Sequence, residues 1–598
     1  MEELQDPRFR LLSQVKRPAR YIGSEVGTLP PKELGSDGVT VCLAFPDTYE
    51  LGMSYLGFQI FYRLIKSIPF ADVDRAYAPW PDMEKLLRAE GLPLCSSEWG
   101  LSLKAFDVLA FTLQYELTAT NILTMLALGG IPLHSDERRD EDPIVIAGGP
   151  GAFVPEPLAP FIDVFCVGDG EVLFPPLLEL LRGTKGMRRD ERLNLIAGLA
   201  GLYVPGVTPV VPSSVKRQIV MDLENAFYPD SMLVPLTEIV HDRAIVEVFR
   251  GCTQGCRFCQ AGMAYRPVRS RSPEKVLALC KNLLKSTGWE ELGLLSLSTC
   301  DYRGLLPVLD GLSPLMQEGI KLSLPSLRMD RFSVELASRL EAVRRGGLTF
   351  APEAGSQRLR NVINKKITDE NIKETIETAF SHGWERVKLY FMMGLPTEKE
   401  EDLVGIVKLA NEALRIGKAN KKRAEISVSV AGFIPKPHTP FQWEGQLPRD
   451  ELLERGRWLK ARSKRRGITL SYHDPDQSFI EAVIAKGDGR VAEAIEEAWR
   501  RGARFDGWTE TFSFPLWMDA FEACGLDAAS IAQRKRSAEE ALPWDHIDVG
   551  VDKAFLLSER DRAYAGSISP DCRVGGCLSC GWHLEGCRGV NSDRPDQV

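Results

Sequence analysis

Short, uninterrupted apolar runs alternate with longer mixed segments along the first third of the chain. The runs at 39–45, 108–111, 144–147 and 164–168 contain no charged residue. Strands that are buried on both faces have this pattern, because helices cover both sides of a parallel sheet. Residues 39–203 are therefore predicted to form a doubly wound, Rossmann-like α/β domain, in which ligands bind at the carboxyl ends of the strands.

A second series of strand-like runs begins after a proline-rich connector at 204–235. Helical segments separate these runs, so residues 236–475 are predicted to form another α/β unit. Residues 1–38 form a lead-in to the first domain. The six predicted strands of the second unit are 244–249, 292–298, 321–324, 347–351, 386–393 and 426–431.

The C-terminal part has a different pattern. Residues 476–570 are predicted to be mainly helical, with charge pairs at i and i+4 within 491–504. The last segment, 571–598, is a tail rich in cysteine and glycine. It is too short to fold around an apolar core, so a bound metal is expected to hold it together.

The composition is ordinary for a soluble protein. A chain of 598 residues exceeds one core, so several domains are expected. No apolar run approaches the roughly 20 residues that span a bilayer, and the polar N-terminus does not resemble a secretory signal. A cytoplasmic protein with no membrane span is expected. The net charge of −8 argues against a protein that coats nucleic acid, although it leaves room for a local basic patch.

Cysteine is unevenly distributed. In a chain without an export signal, thirteen cysteines indicate metal or redox chemistry and not a disulfide framework. Three lie within 252–259 and four within 572–587, whereas six are scattered singly. The scattered ones are expected to be small core residues.

Cys252, Cys256 and Cys259 form a C-x3-C-x2-C loop directly after the predicted strand 244–249. Cysteine thiolates are the usual protein ligands of iron–sulfur clusters. Three thiolates leave one iron without a protein ligand, and an open coordination site suits a catalytic cluster. A zinc knuckle is the alternative, but it requires a fourth cysteine or histidine close by; three unrelated core cysteines are the other.

Four further segments and the cysteine tail complete a family pattern. Together they resemble uncharacterised radical S-adenosylmethionine (radical SAM) proteins that carry an N-terminal cobalamin (B12)-binding-like domain, and the resemblance covers nearly the whole chain. The segments are 43–54, 350–360, 388–398 and 542–547.

The resemblance implies a partial (β/α)6, TIM-type barrel for 236–475. It also implies a [4Fe-4S] cluster held by Cys252, Cys256 and Cys259. The free iron would chelate the amino and carboxylate groups of S-adenosylmethionine, and one electron would cleave the sulfonium to a 5′-deoxyadenosyl radical. A reductant such as flavodoxin or ferredoxin would supply that electron.

Five residues are predicted to contact S-adenosylmethionine. Glu353 and Arg358 lie at and just after the end of a barrel strand, where a guanidinium can bind a carboxylate through two hydrogen bonds. Ser326 and Arg328 follow the strand 321–324, and Phe258 resembles the aromatic residue that stacks near the adenine. The alternatives are a surface ion pair for the charged residues and an apolar plug for Phe258. No further catalytic residue is predicted.

The first domain carries a modified cobalamin motif. Asp47, Tyr49 and Gly52 have the frame Asp-x-His-x-x-Gly with tyrosine in the histidine position, and Gly148 and Gly149 match the downstream glycine pair. A neutral imidazole binds cobalt, whereas a phenol with a pKa of about 10 is a poor ligand near neutral pH. Either cobalamin binds without a protein nitrogen ligand, which we favour, or the domain has lost the cofactor.

The tail carries Cys572, Cys577, Cys580 and Cys587, with His583 among them. Two pairs of thiolates in so short a segment suit tetrahedral zinc or an auxiliary iron–sulfur cluster.

The predicted function is reductive cleavage of S-adenosylmethionine to functionalise, and possibly to methylate, an unknown substrate. An alternative is modification of RNA, such as methylthiolation of a tRNA base, in which the basic segment 455–466 contacts phosphates. That segment has a simpler explanation as a solvated helix face. A third hypothesis is a non-catalytic iron–sulfur scaffold or electron carrier, against which the three-cysteine loop argues.

Overall fold

The computed structural model describes residues 7–325, 327–341, 347–421, 423–573 and 576–582. The strands are β1 (Val39–Phe45), β2 (Ala71–Tyr77), β3 (Val108–Thr112), β4 (Ile144–Gly148), β5 (Val164–Cys166), β6 (Leu202–Tyr203), β7 (Val215–Lys216), β8 (Ala244–Glu247), β9 (Phe249–Arg250), β10 (Arg269–Ser270), β11 (Glu291–Leu295), β12 (Lys321–Ser323), β13 (Leu348–Glu353), β14 (Arg386–Met393), β15 (Glu425–Gly432), β16 (Ile468–Tyr472) and β17 (Ile547–Asp548).

The α-helices follow the same chain order. They are α1 (Tyr49–Met53), α2 (Leu56–Ser67), α3 (Pro81–Glu90), α4 (Ala119–Leu128), α5 (Gly170–Gly183), α6 (Arg189–Ala197), α7 (Gln260–Ala264), α8 (Pro273–Thr287), α9 (Leu305–Gln317), α10 (Val334–Glu341), α11 (Gln357–Val362), α12 (Asp369–Ser381), α13 (Glu400–Asn420), α14 (Arg449–Arg462), α15 (Pro475–Lys486), α16 (Val491–Arg500), α17 (Phe514–Ala523), α18 (Ala528–Gln533) and α19 (Lys553–Tyr564).

The N-terminal sheet has the strand order β2-β1-β3-β4-β5-β6. The first five strands are parallel and β6 pairs antiparallel with β5. Strand β1 lies between β2 and β3. The strand order therefore proceeds first to one side of β1 and then to the other. This confirms the predicted doubly wound fold, and the reversal beside β1 creates a crevice at the carboxyl ends of the strands.

The two faces of this sheet are covered differently. Helices α2 and α5 cover one face, where Tyr62 and Leu177 pack on Val41 and its neighbours. On the other face, apolar residues of α15 to α17 share one core with β3 and α4. The helical C-terminal region is therefore packed against the N-terminal sheet. The predicted domain boundaries themselves stay predictions.

The second unit is a partial barrel of parallel strands, as predicted. Within the described residues, β12, β11 and β8 form one sheet, and β13, β14, β15 and β16 form another. Their apolar side chains meet in a single core with α8, α9, α12 and α13. Strand β16 was not among the six predicted strands, because only alternate residues of it are buried.

Local signals in the sequence explain several helix ends. The Ser272 hydroxyl accepts a hydrogen bond from the Lys275 N–H and caps α8, which begins with Pro273 and is followed by the capping residue Gly288 with φ +72°. Thr368 and Asn371 form a reciprocal capping box at α12. These caps fix where each helix starts relative to the preceding strand.

The connector between the two units also contains structure. Its strand β7 pairs in parallel with β17 from the C-terminal region, with Val215 opposite Ile547. In the described part of the chain, no helix is both long and apolar enough to cross a membrane.

Candidate functional site

The three-cysteine loop begins immediately after β9 and ends at α7. Gly251 has φ +93°, and a Cβ at this position would lie 2.4 Å from the Pro267 carbonyl oxygen, so only glycine fits. Gly255 has φ +72°. The Cys259 sulfur accepts a hydrogen bond of 3.3 Å from the Gly262 N–H and caps α7. The glycines thus allow the chain to turn tightly around the three thiols.

The three thiols share one small region. Burial, together with the neighbouring Cys256 and Cys252, raises the pKa of Cys259 to about 12. Burial and Cys256 also raise the pKa of Cys252. Cys252 and Cys259 are therefore neutral thiols before a metal binds, and iron must displace their protons. Three thiols that interact electrostatically with one another fit the ligand set of a [4Fe-4S] cluster, in which each cysteine binds a different iron.

Cationic side chains lie beside the loop. Burial lowers the pKa of Lys365, but Glu353 and Cys256 raise it more, so the ammonium stays charged. Burial opposes the charge of Arg328 in the same way, while Asp330, Asp301 and Cys256 raise its pKa. Both cations are also paired with protein carboxylates, Lys365 with Glu353 and Arg328 with Asp330, so charges of both signs lie beside Cys256.

Arg257 fixes the loop to the C-terminal region. Its guanidinium is fully buried, and Nε donates a hydrogen bond of 3.0 Å to Glu559 Oε2 on α19. The other nitrogens donate to the Asn361, Val362 and Ser567 carbonyl oxygens at 2.8 to 3.0 Å. The sequence did not predict this role, because the partner carboxylate lies 302 positions away.

Gln254 connects the same loop to the turn after β11 and to the tail. Its amide nitrogen lies 2.9 Å from Asp301 Oδ2 and 3.2 Å from Asp571 Oδ2. Arg573 completes this network, with its guanidinium 2.8 Å from Asp571 and 3.5 Å from Asp301. The beginning of the tail therefore lies against the cysteine loop.

Glu353 lies beside Lys365, near the cysteine loop, whereas Arg358 contacts Asp402 and Thr397. Glu353 adopts φ +69° at the end of β13, and its carboxylate lies 3.2 Å from Lys365 Nζ. Burial raises its pKa, and Lys365 opposes this effect. Arg358 forms an ion pair with Asp402 and donates to the Thr397 carbonyl at 2.9 Å. Its predicted contact with S-adenosylmethionine stays a prediction.

The other predicted ligand-contacting residues have different environments. Arg328 forms a bidentate pair with Asp330, at 3.0 and 2.6 Å. Phe258 packs on an apolar cluster that includes Leu395 and Phe433, beyond the ends of β14 and β15. Ser326 lies outside the described residues.

A cavity of about 350 Å³ separates the N-terminal sheet from the barrel. Gly148 and Gly149 line it at the carboxyl end of β4. Tyr55 and Gln114 lie on the same side, and Gly251 of the cysteine loop lies on the barrel side. The cavity therefore extends to Gly251, the residue that precedes Cys252. We name it the interdomain cavity.

The remaining residues of the cobalamin motif lie outside the lining of this cavity. The Tyr49 hydroxyl accepts a hydrogen bond of 3.2 Å from the Leu236 N–H, and its ring packs edge-on against Tyr77 at 5.1 Å. A Cβ at Gly52 would meet the Tyr77 ring at 2.5 Å, so this glycine serves packing. The phenol of Tyr49 is therefore buried, and its hydroxyl already has a hydrogen-bond partner within the protein.

Asp47 has a partner that the sequence did not reveal. Its Oδ1 accepts hydrogen bonds from the Thr48 N–H at 2.7 Å and from Trp508 Nε1 at 2.9 Å. Burial raises the pKa of Asp47 to about 6, while these hydrogen bonds lower it. The motif carboxylate therefore holds the C-terminal region in place.

The described part of the tail lies close to the core cysteines. Burial lowers the pKa of Arg266, but Cys580, Cys572 and Cys252 raise it more, which places this guanidinium between the two groups of thiols. Cys577 is exposed. Cys587 and His583 lie outside the described residues, within which no three metal-ligating side chains converge on one ion position. The tail metal site stays a prediction.

Family models match two regions of the chain. The model described as "Radical SAM proteins, N-terminal" matches residues 57–205, and the model of the radical SAM superfamily matches residues 246–410. An uncharacterized protein of Methanocaldococcus jannaschii is 28% identical over 66% of this chain and 81% of its own length. The tRNA-2-methylthio-N(6)-dimethylallyladenosine synthase of Protochlamydia amoebophila is 26% identical over 42% of this chain and 57% of its own length.

One solved structure aligns with most of the chain. It is the cobalamin-dependent S-adenosylmethionine radical enzyme OxsB with aqua-cobalamin and S-adenosylmethionine bound, at 12% identity, 94% coverage of this chain, 84% coverage of that chain and a TM-score of 0.47. The superfamily match includes the whole three-cysteine loop. This chain therefore belongs to the radical SAM superfamily, whose enzymes use a [4Fe-4S] cluster, S-adenosylmethionine and an external reductant.

Proposed function

We propose that the protein is a methyl-transferring radical SAM enzyme whose chemistry takes place at the loop from Gly251 to Gln260. The observation that carries this proposal is the position of the interdomain cavity, which reaches from the glycine pair of the N-terminal sheet to the first residue of that loop. When bound, the cluster and S-adenosylmethionine supply radical chemistry by reductive cleavage of the sulfonium.

The chain supplies the ligands and the electrostatic environment. Cys252, Cys256 and Cys259 would hold the cluster, and burial keeps bulk water away from the sulfurs of Cys252 and Cys259. Arg328 and Lys365 lie near Cys256 and would contact a bound carboxylate by exchanging their present partners, Asp330 and Glu353. Phe258 offers an apolar ring beside the strand ends for a nucleobase. A one-electron donor such as flavodoxin or ferredoxin would reduce the cluster.

The interdomain cavity is our proposed site for cobalamin, which would supply the transferable methyl group. Gly148 leaves its backbone exposed to the cavity. The space beside it is open, because a Cβ at this position would have Cys166 as its nearest contact at 3.6 Å. The cavity volume corresponds to roughly a dozen water molecules at about 30 Å³ each. It would therefore hold only part of the cofactor. Tyr49 would contribute no cobalt ligand.

Product analysis tests the proposal. Anaerobically reconstituted protein is reduced with dithionite in the presence of S-adenosylmethionine, with and without methylcobalamin. Formation of 5′-deoxyadenosine is expected in both cases, and S-adenosylhomocysteine is expected only with the cobalt cofactor and a substrate. Absence of both products from protein that holds a full cluster contradicts the proposal.

RNA modification is a second candidate. The tRNA-modifying relative favours it, and so does the exposed basic end of α14 and the loop after it, where Lys460, Arg462, Lys464, Arg465 and Arg466 are solvent-exposed. Phosphate contacts by such residues weaken steeply as salt concentration rises. Crosslinking to RNA in cells, lost when Lys464, Arg465 and Arg466 are replaced by alanine, tests this candidate.

A further inference from the structure

A second cavity, of about 260 Å³, lies at the opposite end of the cysteine loop. The interdomain cavity contacts Gly251, which precedes Cys252, whereas the second cavity contacts Gln260, which follows Cys259. Consecutive Cα atoms are about 3.8 Å apart, so each cavity wall begins one residue from a cluster ligand. Gln114 lines both cavities. We name the second one the acidic cavity.

Three separate parts of the chain build the polar wall of the acidic cavity. Lys436, from the loop after β15, places Nζ 2.6 Å from Glu116 Oε1 and 2.8 Å from Glu481 Oε1. Glu116 comes from the N-terminal unit and Glu481 from α15. The Tyr115 hydroxyl donates a hydrogen bond of 2.9 Å to Glu481 Oε2. The remaining wall is mainly apolar and includes Leu113, Val154 and Ile484.

The polar wall carries a net negative charge. Burial lowers the pKa of Lys436, but Glu116 and Glu481 raise it more, so the lysine is a cation at neutral pH. One cation between two carboxylates leaves one negative charge. Within the described residues, no other basic side chain forms an ion pair with Glu116 or Glu481. If Lys436, Glu116 and Glu481 served only to hold their three segments together, neither the excess negative charge nor the cavity beside them would be needed.

We propose that the acidic cavity binds the substrate through a protonated amine, with a short apolar body against Leu113, Val154 and Ile484. This inference rests on the proposed function, because it places the substrate beside the loop that holds the radical chemistry. The cavity has the volume of about nine water molecules, so the bound group is a small amine or an amine-bearing side chain. The same charge disfavours phosphate groups at this position.

A set of isosteric probes tests the charge preference. Binding of n-butylamine, n-butanol and n-butyrate to the reconstituted protein is measured by saturation-transfer NMR near neutral pH. We expect millimolar binding of the amine, weaker binding of the alcohol and no binding of the carboxylate. Glu481→Gln and Glu116→Gln are each expected to weaken amine binding about tenfold, because each removes the excess negative charge.

Two further variants supply controls. Lys436→Met should strengthen amine binding, because it leaves two carboxylates without their cation. Glu412→Gln alters an exposed pair with Arg415 on α13, 2.7 Å long, and should leave binding unchanged. Circular dichroism and iron content identify any variant that has not folded. If one of the two glutamine variants fails to fold, the amine binding of the other tests the proposal.

The outcomes separate this inference from the proposed function. Loss of amine binding in both glutamine variants, with 5′-deoxyadenosine formation retained, supports it. Equal binding of amine and alcohol, or unchanged amine binding in both folded glutamine variants, overturns it. If the wild type binds the amine but never cleaves S-adenosylmethionine, the proposed function fails and the charge preference of the cavity stands.

Discussion

Arg257 and Glu559 are separated by 302 positions in the sequence and form a buried ion pair of 3.0 Å. Arg257 lies between the second and third cysteines, and Glu559 lies on the last described helix. The geometry of the cysteine loop therefore depends on a part of the chain that is made more than 300 residues later.

Replacement of Arg257 by methionine should destabilise the protein by about 3–5 kcal/mol, because Glu559 would remain buried without a partner. The thermal midpoint and the iron content are both expected to fall. The double variant R257M/E559M should recover part of the thermal midpoint, since it buries no unpaired charge. Arg415→Met, which breaks an exposed pair, is the matched control. A single variant no less stable than this control would contradict the role of the pair.

Replacement of Cys256 by alanine should abolish the cleavage of S-adenosylmethionine, because two thiolates cannot hold the cluster. Formation of 5′-deoxyadenosine by the reduced, reconstituted protein is the measurement. Cys280→Ala, which alters a buried cysteine of the barrel core, should retain activity. Continued 5′-deoxyadenosine formation by a variant lacking all three loop cysteines would refute the site.

Deletion of residues 572–598 should remove one metal site and leave the core cluster in place. The truncation keeps Asp571, which accepts a hydrogen bond from Gln254, but it removes Arg573 and its ion pairs with Asp571 and Asp301. Elemental analysis of zinc and iron distinguishes the two hypotheses for the tail. Equal metal content in the full chain and the truncation would rule out a tail site.

Cobalamin bound at the interdomain cavity should have no protein nitrogen below the cobalt. The Tyr49 hydroxyl is committed to the Leu236 N–H, and the dimethylbenzimidazole tail is expected to be displaced. Electron paramagnetic resonance of the Co(II) state should therefore lack nitrogen superhyperfine splitting. Clear splitting would show that an axial nitrogen is present.

Replacement of Asp47 by asparagine should flatten the dependence of stability on pH. Burial raises the pKa of Asp47 to about 6, so its protonated form is the one that the fold favours. The wild type loses stability as pH rises from about 4 through 6, by up to about 3 kcal/mol. D47N should match the wild type near pH 4 and have the higher thermal midpoint near pH 8. Equal midpoints at both pH values would contradict this assignment.

The sequence predicted the features that depend on neighbouring residues. The alternation of buried strands and helices determines the doubly wound sheet, and the spacing of Cys252, Cys256 and Cys259 determines a loop in which the thiols meet. Contacts between distant segments were not predictable, because the choice of partner depends on packing. The hydrogen bond from Trp508 to Asp47 is one example. The inward direction of the Tyr49 side chain is another, since the motif gives its position but not its rotamer.

The core that the N-terminal sheet shares with α15 to α17 affects the order in which this protein can fold during synthesis. Leu109 and Ile122 pack with Ile495 and Trp517, so one side of the sheet has no cover while only the first domain has been made. At about 5–20 residues per second, the ribosome needs on the order of 15–60 s to add the missing helices. During that interval the apolar surface is exposed to chaperones and to other nascent chains, and truncations that remove α15 to α17 should aggregate for the same reason.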